Sequence, residues 1–169
     1  MIKLKNILSE ILTEGAKFGY VKLQLDASSL KEFQDQINKD DLDTNGFETD
    51  PHVTLLYGLH PEVTDQQVKE KLDKVSFGSV TGKNVSLFTG GQEVLKLDAE
   101  GSGLIEANKA LRELPHTSDF PDFHPHITIA FLKKGLGQKY VDIFKGKSLD
   151  LKAGKVIYKN AGKQEFIIK

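Results

Sequence analysis

The chain has 169 residues, a formal net charge of −1 and no cysteine. That length suits one domain with a substantial core, and the near-neutral charge gives no basic field to hold long nucleic acid. The lack of cysteine excludes disulfides and thiolate metal sites, and no apolar run reaches the roughly 20 residues of a membrane-spanning helix.

In chain order, residues 1–14 place Ile2, Leu4, Ile7, Leu8, Ile11 and Leu12 along one stripe of a short helix ending before Gly15. Lys3, Lys5, Ser9 and Glu10 interrupt any secretory core, so the segment reads as a docked helix or a separate leader. Residues 18–26 alternate Val21, Leu23 and Leu25 with Lys22 and Gln24, the period of a strand. Ser29-Leu30-Lys31-Glu32 has the form of a capping box, and Leu30, Phe33 and Ile37 follow at helical spacing. Residues 38–50 are acidic and loop-like, with a turn at Asn45-Gly46. A strand starts at Pro51, and Thr64-Asp65-Gln66-Gln67 caps a helix running to about Leu72. Residues 75–88 predict two strands broken near Gly82-Lys83-Asn84, and Gly90-Gly91 marks a boundary.

Residues 93–98 then predict a strand, and Ser102 a cap for a helix carrying Leu104, Ala107, Asn108, Leu111 and Leu114. A strand follows at Pro125, a short helix over 137–144, and closing strands over 148–158 and 164–168. The second half repeats the first. Residues 51–57 read Pro-His-Val-Thr-Leu-Leu-Tyr, residues 125–131 read Pro-His-Ile-Thr-Ile-Ala-Phe, and His52 lies 74 residues before His126. The same step carries Val21, Leu23 and Leu25 onto Leu95, Leu97 and Ala99, and Leu30, Phe33 and Ile37 onto Leu104, Ala107 and Leu111. A duplicated β-α-β-α-β-β unit is expected. The fold class is α+β: a single bilobal domain over 15–169, with lobes of about 15–90 and 91–169. Two mostly antiparallel sheets would face a central cleft, with helices outside.

Side chains two apart on a strand share a face. His52 and Thr54 therefore point together with Leu56, and His126 and Thr128 with Ala130; Val53, Leu55, Tyr57 and Ile127, Ile129, Phe131 point the other way. Two imidazoles across a cleft form an acid–base pair, because one can be neutral and the other protonated near neutral pH. The two threonine hydroxyls can donate to phosphoryl oxygens. That set suits displacement at a phosphodiester without a metal or cofactor, and no Gly-x-Ser-x-Gly elbow offers another nucleophile. A single Pro-His-Val-Thr would more often be structural, but duplication gives no packing reason to keep His and Thr twice. His124 with His126 could be read as a metal pair, yet the step from His124 falls on Asp50, so no metal site is expected. His60 and His116 read as solvated loop residues. Lys133, just after the second motif, is a candidate to attract phosphate, against the plainer reading of a solvated strand edge.

The paired motifs resemble the signature of the two-histidine phosphoesterase superfamily, which includes bacterial RNA 2′,3′-cyclic phosphodiesterases (the 2′-5′ RNA ligases). The resemblance covers nearly the whole chain after residue 14 and implies a bilobal fold, metal-independent chemistry and His52, Thr54, His126 and Thr128 as catalytic residues. More narrowly, residues 50–60, residues 123–135 and the following Gly137-Gln138-Lys139-Tyr140 resemble phage anti-CBASS proteins, which degrade the cyclic di- and trinucleotide messengers of bacterial anti-phage defence. This implies a phosphodiesterase for messengers such as cyclic GMP-AMP, acting as a monomer in the host bacterial cytoplasm, with Tyr20 stacking on a base. An edge aromatic packed on the sheet is the plainer reading of Tyr20. Leu8-Ser9-Glu10 and Leu12-Thr13-Glu14-Gly15 resemble the Leu-x-Glu cleavage sites of proteins packaged in tailed-phage capsids, which would add a virion location. The alternatives are an enzyme acting on linear RNA ends with 2′,3′-cyclic phosphates, and a non-catalytic nucleotide sponge, which would predict the loss of at least one motif His or Thr, and none is lost.

Overall fold

The computed structural model describes residues 18–118 and 121–169. The helix or leader expected over residues 1–14 lies outside the described residues. The strands and helices run β1 (Gly19–Leu25), α1 (Lys31–Gln34), β2 (Leu42–Phe47), β3 (His52–Leu59), α2 (Asp65–Leu72) and β4 (Val80–Phe88). They continue with β5 (Glu93–Glu100), α3 (Leu104–Leu111), β6 (His126–Leu132), α4 (Gln138–Ile143), β7 (Leu149–Leu151), β8 (Ala153–Lys159) and β9 (Glu165–Ile167). Two antiparallel sheets form, ordered β3-β1-β8-β9 and β2-β6-β5-β4-β7, so the class is α+β as expected.

The 74-residue step survives in three dimensions. It pairs β1 with β5, α1 with α3, β3 with β6, α2 with α4 and β4 with β8. In each sheet the central strand, β1 or β5, is flanked by the motif strand of its own half and by the closing strand of the other half. The sheets therefore do not divide the chain into 15–90 and 91–169, because β4 and β8 change places. The helices cross over as well: α3 packs against β3, and α1 against β6. This exchange locks the halves together around a core in which Val21, Leu23, Val53, Leu55, Leu95, Leu97, Ile127 and Ile129 are fully buried. Each such side chain contributes roughly 1.5–3 kcal/mol relative to exposure.

Several local expectations change. The acidic stretch expected as loop contains β2, whose ends pair Leu42 with Leu132 and Phe47 with Ala130. Long-range ties order it: the Tyr140 hydroxyl donates to Asp41 at 2.5 Å, and Lys139 lies 2.6 Å from the same carboxylate. The capping box at Ser29 does not form, and α1 is a single turn without a side-chain cap. Thr64 and Gln67 do make theirs. Ser102 does not cap α3 either. Gly103 takes that place at φ 87°, a conformation a side chain would strain, and Ser102 Oγ accepts from the Gly78 N–H instead. Residues 80–88 form one strand, with the break absorbed as an irregularity between Lys83 and Ser86. The stretch 148–158 splits at Lys152, with β7 joining one sheet and β8 the other.

Candidate active site

The two motifs lie at the seam between the sheets. β3 is an edge strand of its sheet, while β2 covers β6 only at its Leu132 end before turning away toward Pro51. That leaves the His126–Thr128 end of β6 without β2 beside it, and β6 approaches β3 without a ladder between them. Both strands carry the same bulge. On β3, Thr54 faces Lys22 and Leu56 faces Val21, leaving Leu55 as the extra residue; on β6, Thr128 faces Lys96 and Ala130 faces Leu95, leaving Ile129. The bulge reverses the alternation beyond it. Leu55 and Leu56 are both buried, so Tyr57, opposite Tyr20, shares the face of Thr54. The strict alternation expected from the sequence placed Tyr57 and Phe131 on the other side; the extra residue moves both onto the motif face.

A bulge frees a carbonyl, and each is met by an amide from the opposite half. Asn108 on α3 donates to the Leu55 carbonyl at 2.7 Å, and Gln34 on α1 donates to the Ile129 carbonyl at 3.0 Å. The 74-residue step relates both the donors and the acceptors. Asn108 is 6% exposed, so Asn108→Ala should leave the Leu55 carbonyl buried without its partner. Stability should fall by about 1–3 kcal/mol in urea unfolding; an unchanged midpoint would remove this role.

Each imidazole is anchored in the same way. His52 Nδ1 lies 2.7 Å from the Asp50 carbonyl, and His126 Nδ1 lies 3.1 Å from the His124 carbonyl. A carbonyl only accepts, so Nδ1 carries the hydrogen and Nε2 bears the lone pair in the neutral ring. The preceding Pro51 and Pro125 carbonyls accept from Leu25 and Ala99 at 2.9 Å, fixing both approaches identically. His126 also meets the edge of Phe88, with ring centroids 4.9 Å apart. Burial pushes the His126 pKa below the ordinary histidine value; its hydrogen bond to His124 opposes this, and the charges of Lys96 and His52 add to the lowering.

Two lysines complete the face. Lys22 Nζ sits 2.6 Å from an Asp50 oxygen, and Gln24 donates to the other oxygen at 3.2 Å. Lys96 Nζ sits 2.9 Å from Ser86 Oγ, 3.2 Å from Asp98 and 4.8 Å from the centre of the Phe88 ring. Burial opposes the Lys22 ammonium, but the hydrogen bond and charge of Asp50 outweigh it and raise its pKa.

Comparison with protein-family models matches residues 17–157 to the family described as anti-CBASS protein Acb1. The chain belongs to that family. No curated protein matches the chain. Among solved structures, one of Kluyveromyces marxianus Usb1 with uridine monophosphate aligns at a TM-score of 0.51 and 9% identity, covering 92% of this chain and 99% of that one. At that identity the likeness shows the fold alone.

In this Acb1-family chain the structure gathers His52, Thr54, His126 and Thr128 at the seam. Tyr20 joins them on the motif face of β1, two residues from Lys22 and opposite Tyr57. Lys133 is not brought to the site: it lies beyond the far end of β6, where its ammonium donates to the Asp40 carbonyl at 2.9 Å. His60 and His116 are not simply solvated. His60 Nε2 is 2.8 Å from Thr117 Oγ1, and His116 bridges to Leu59, tying the loop after α3 to the end of β3. Among the described residues, no group of three His, Asp or Glu side chains converges as a metal site. None of the described helices is long and apolar enough to cross a membrane. No role at the site was assigned from the sequence to Lys22, Lys96, Phe88 or the amides Gln34 and Asn108. The repeat step could have found the lysines, since it maps Lys22 onto Lys96; nothing local marks Phe88.

Proposed function

We propose that the chain is a phosphodiesterase cleaving 3′-5′ linkages of cyclic di- and trinucleotide messengers by histidine acid–base chemistry. The observation carrying this reading is the duplicated arrangement of His and Thr, anchored identically through Nδ1 on two strands that meet at one seam. Membership of an anti-CBASS family supports the choice of messenger. The first step has one neutral imidazole take the proton of a ribose 2′-OH through Nε2. The 2′-oxygen attacks the adjacent phosphorus, the bond to the 5′-oxygen breaks, and the other, protonated imidazole supplies a proton to that leaving oxygen. The product is a linear nucleotide ending in a 2′,3′-cyclic phosphate, which water can open with the two roles exchanged. Thr54 and Thr128 donate to the non-bridging oxygens as negative charge develops on them.

One feature supports different roles for two histidines that the motifs alone leave equivalent. The lowered pKa of His126 favours its neutral form and suits the base, leaving His52 as the acid. Both pairs belong to one chain, so a monomer carries the whole set. None of these steps uses a metal, and turnover of 3′,3′-cyclic GMP-AMP should persist after exhaustive treatment with EDTA. Loss of turnover on chelation, restored by a divalent ion, would sink the metal-free scheme.

A further inference from the structure

We propose that Lys22 and Lys96 form a two-point phosphate-binding site between the His-x-Thr pairs, each ammonium taking a phosphate oxygen on its own side of the seam. Each lysine stands on the central strand of its sheet, directly across from a motif threonine: Lys22 from Thr54 and Lys96 from Thr128. Cross-strand neighbours have Cβ atoms about 5 Å apart on the same face, so each stem starts beside its threonine. Lysine is almost never buried without a compensating partner, yet Lys22 is only 8% exposed and the Lys96 side chain only 12%. Packing would favour an apolar residue at both places.

The partners of the two lysines give the stronger argument. The repeat step maps Lys22 onto Lys96, but it maps Asp50 onto His124 and Gln24 onto Asp98. The cation is therefore present in both halves, while the carboxylate that balances it comes from a different position in each. A lysine placed to make one particular ion pair would need that pair repeated. A lysine placed to present positive charge beside a His-x-Thr pair needs only some counter-charge while the site is empty. The Asp50 and Asp98 side chains are 47% and 49% exposed, so both can turn to water when an anion takes the ammonium. In a chain of net charge −1, this pair supplies the local positive charge that a phosphate requires. The identity of the phosphate as a nucleotide's rests on the phosphodiesterase reading above; the anion site does not.

The test uses the full chain and two probes. Inorganic phosphate is titrated while the histidine ring signals are followed by NMR, and the 2′-deoxy analogue of 3′,3′-cyclic GMP-AMP is titrated by calorimetry. Lys22→Met and Lys96→Met keep an unbranched stem in the same space, and the carboxylates they release remain hydrated. Each should weaken binding of the analogue by roughly 10- to 100-fold, the range for a hydrogen bond to a charged group, and the double variant should lose the phosphate response. Asp50→Asn and Asp98→Asn provide a check of opposite sign that removes no cation: freeing the lysines should tighten phosphate binding. Folded methionine variants that bind both probes like the parent would overturn the proposal, as would weaker phosphate binding in both asparagine variants. A parent protein that binds phosphate through the lysines but ignores the dinucleotide would keep the anion site and sink the nucleotide reading. A parent that binds neither probe overturns both.

Discussion

Replacing His126 or His52 by alanine should each lower turnover of a cyclic dinucleotide by about 10²-fold or more, the usual scale for a general acid or base. Each ring donates from Nδ1 to a carbonyl two residues earlier, so alanine removes the proton carrier and one hydrogen bond while leaving the strand in place. Circular dichroism should show both variants folded. Thr54→Ala and Thr128→Ala should be milder, because each removes one of several donors to the same phosphoryl group. His124→Ala should be nearly silent, since His124 serves His126 through its backbone carbonyl. The acid limb of kcat/KM should lie below the ordinary histidine value of about 6.5. In the proposed scheme His126 acts only when neutral, and its lowered pKa keeps it neutral to lower pH. Near-normal turnover by either alanine variant would break the pairing on which the scheme depends.

The paired motifs were more legible in the sequence than the path of the chain through the fold. Two polar pairs on otherwise apolar strands, repeated at one step, were visible without any structure, and so was the α+β class. The lobes were not, because the order of strands within a sheet is a non-local fact. Nothing in residues 80–88 or 153–159 says that each closing strand pairs with the other half's central strand. The bulges at Leu55 and Ile129 were hidden for a related reason. An apolar run such as Leu55-Leu56 looks the same whether it alternates or doubles onto one face, and only the partner strand decides. Strand β2 was missed because Asp43, Asn45 and Gly46 argue for a loop. Its order comes from Tyr140 and Lys139, almost 100 residues further on. The lysines were overlooked because alternation with Val21 and Leu23 marks Lys22 only as the polar side of a strand, and nothing local shows that it is buried opposite Thr54.

A 2′-deoxy nucleotide beside the scissile phosphate should abolish cleavage while leaving binding largely intact. The bases, both phosphates and the ring shape are retained, so the contacts that recognise the ligand persist. In the proposed scheme, however, the attacking oxygen is gone and His126 has no proton to take. A 2′-O-methyl group at the same place should act alike, because it blocks that oxygen. A mixed messenger with a linkage from 2′ to 5′ keeps a free 3′-OH beside the same phosphorus, so it stays reactive if the site accepts its shape. Calorimetry on the deoxy analogue, paired with chromatography for product, separates binding from chemistry. Cleavage of the deoxy analogue at the parent's rate would remove 2′-oxygen attack and leave water as the nucleophile.

The most direct test of the account compares initial rates on 3′,3′-cyclic GMP-AMP and on a linear oligoribonucleotide ending in a 2′,3′-cyclic phosphate, at equal concentration and in one buffer. The account predicts fast opening of the cyclic messenger to a linear product, with the oligomer cut slowly or not at all, because the proposed recognition of phosphate is local and a net charge of −1 supplies no general basic field to hold a strand. Rapid opening of the oligomer's end with the cyclic messenger left intact would contradict it and assign the two histidine–threonine pairs to linear RNA.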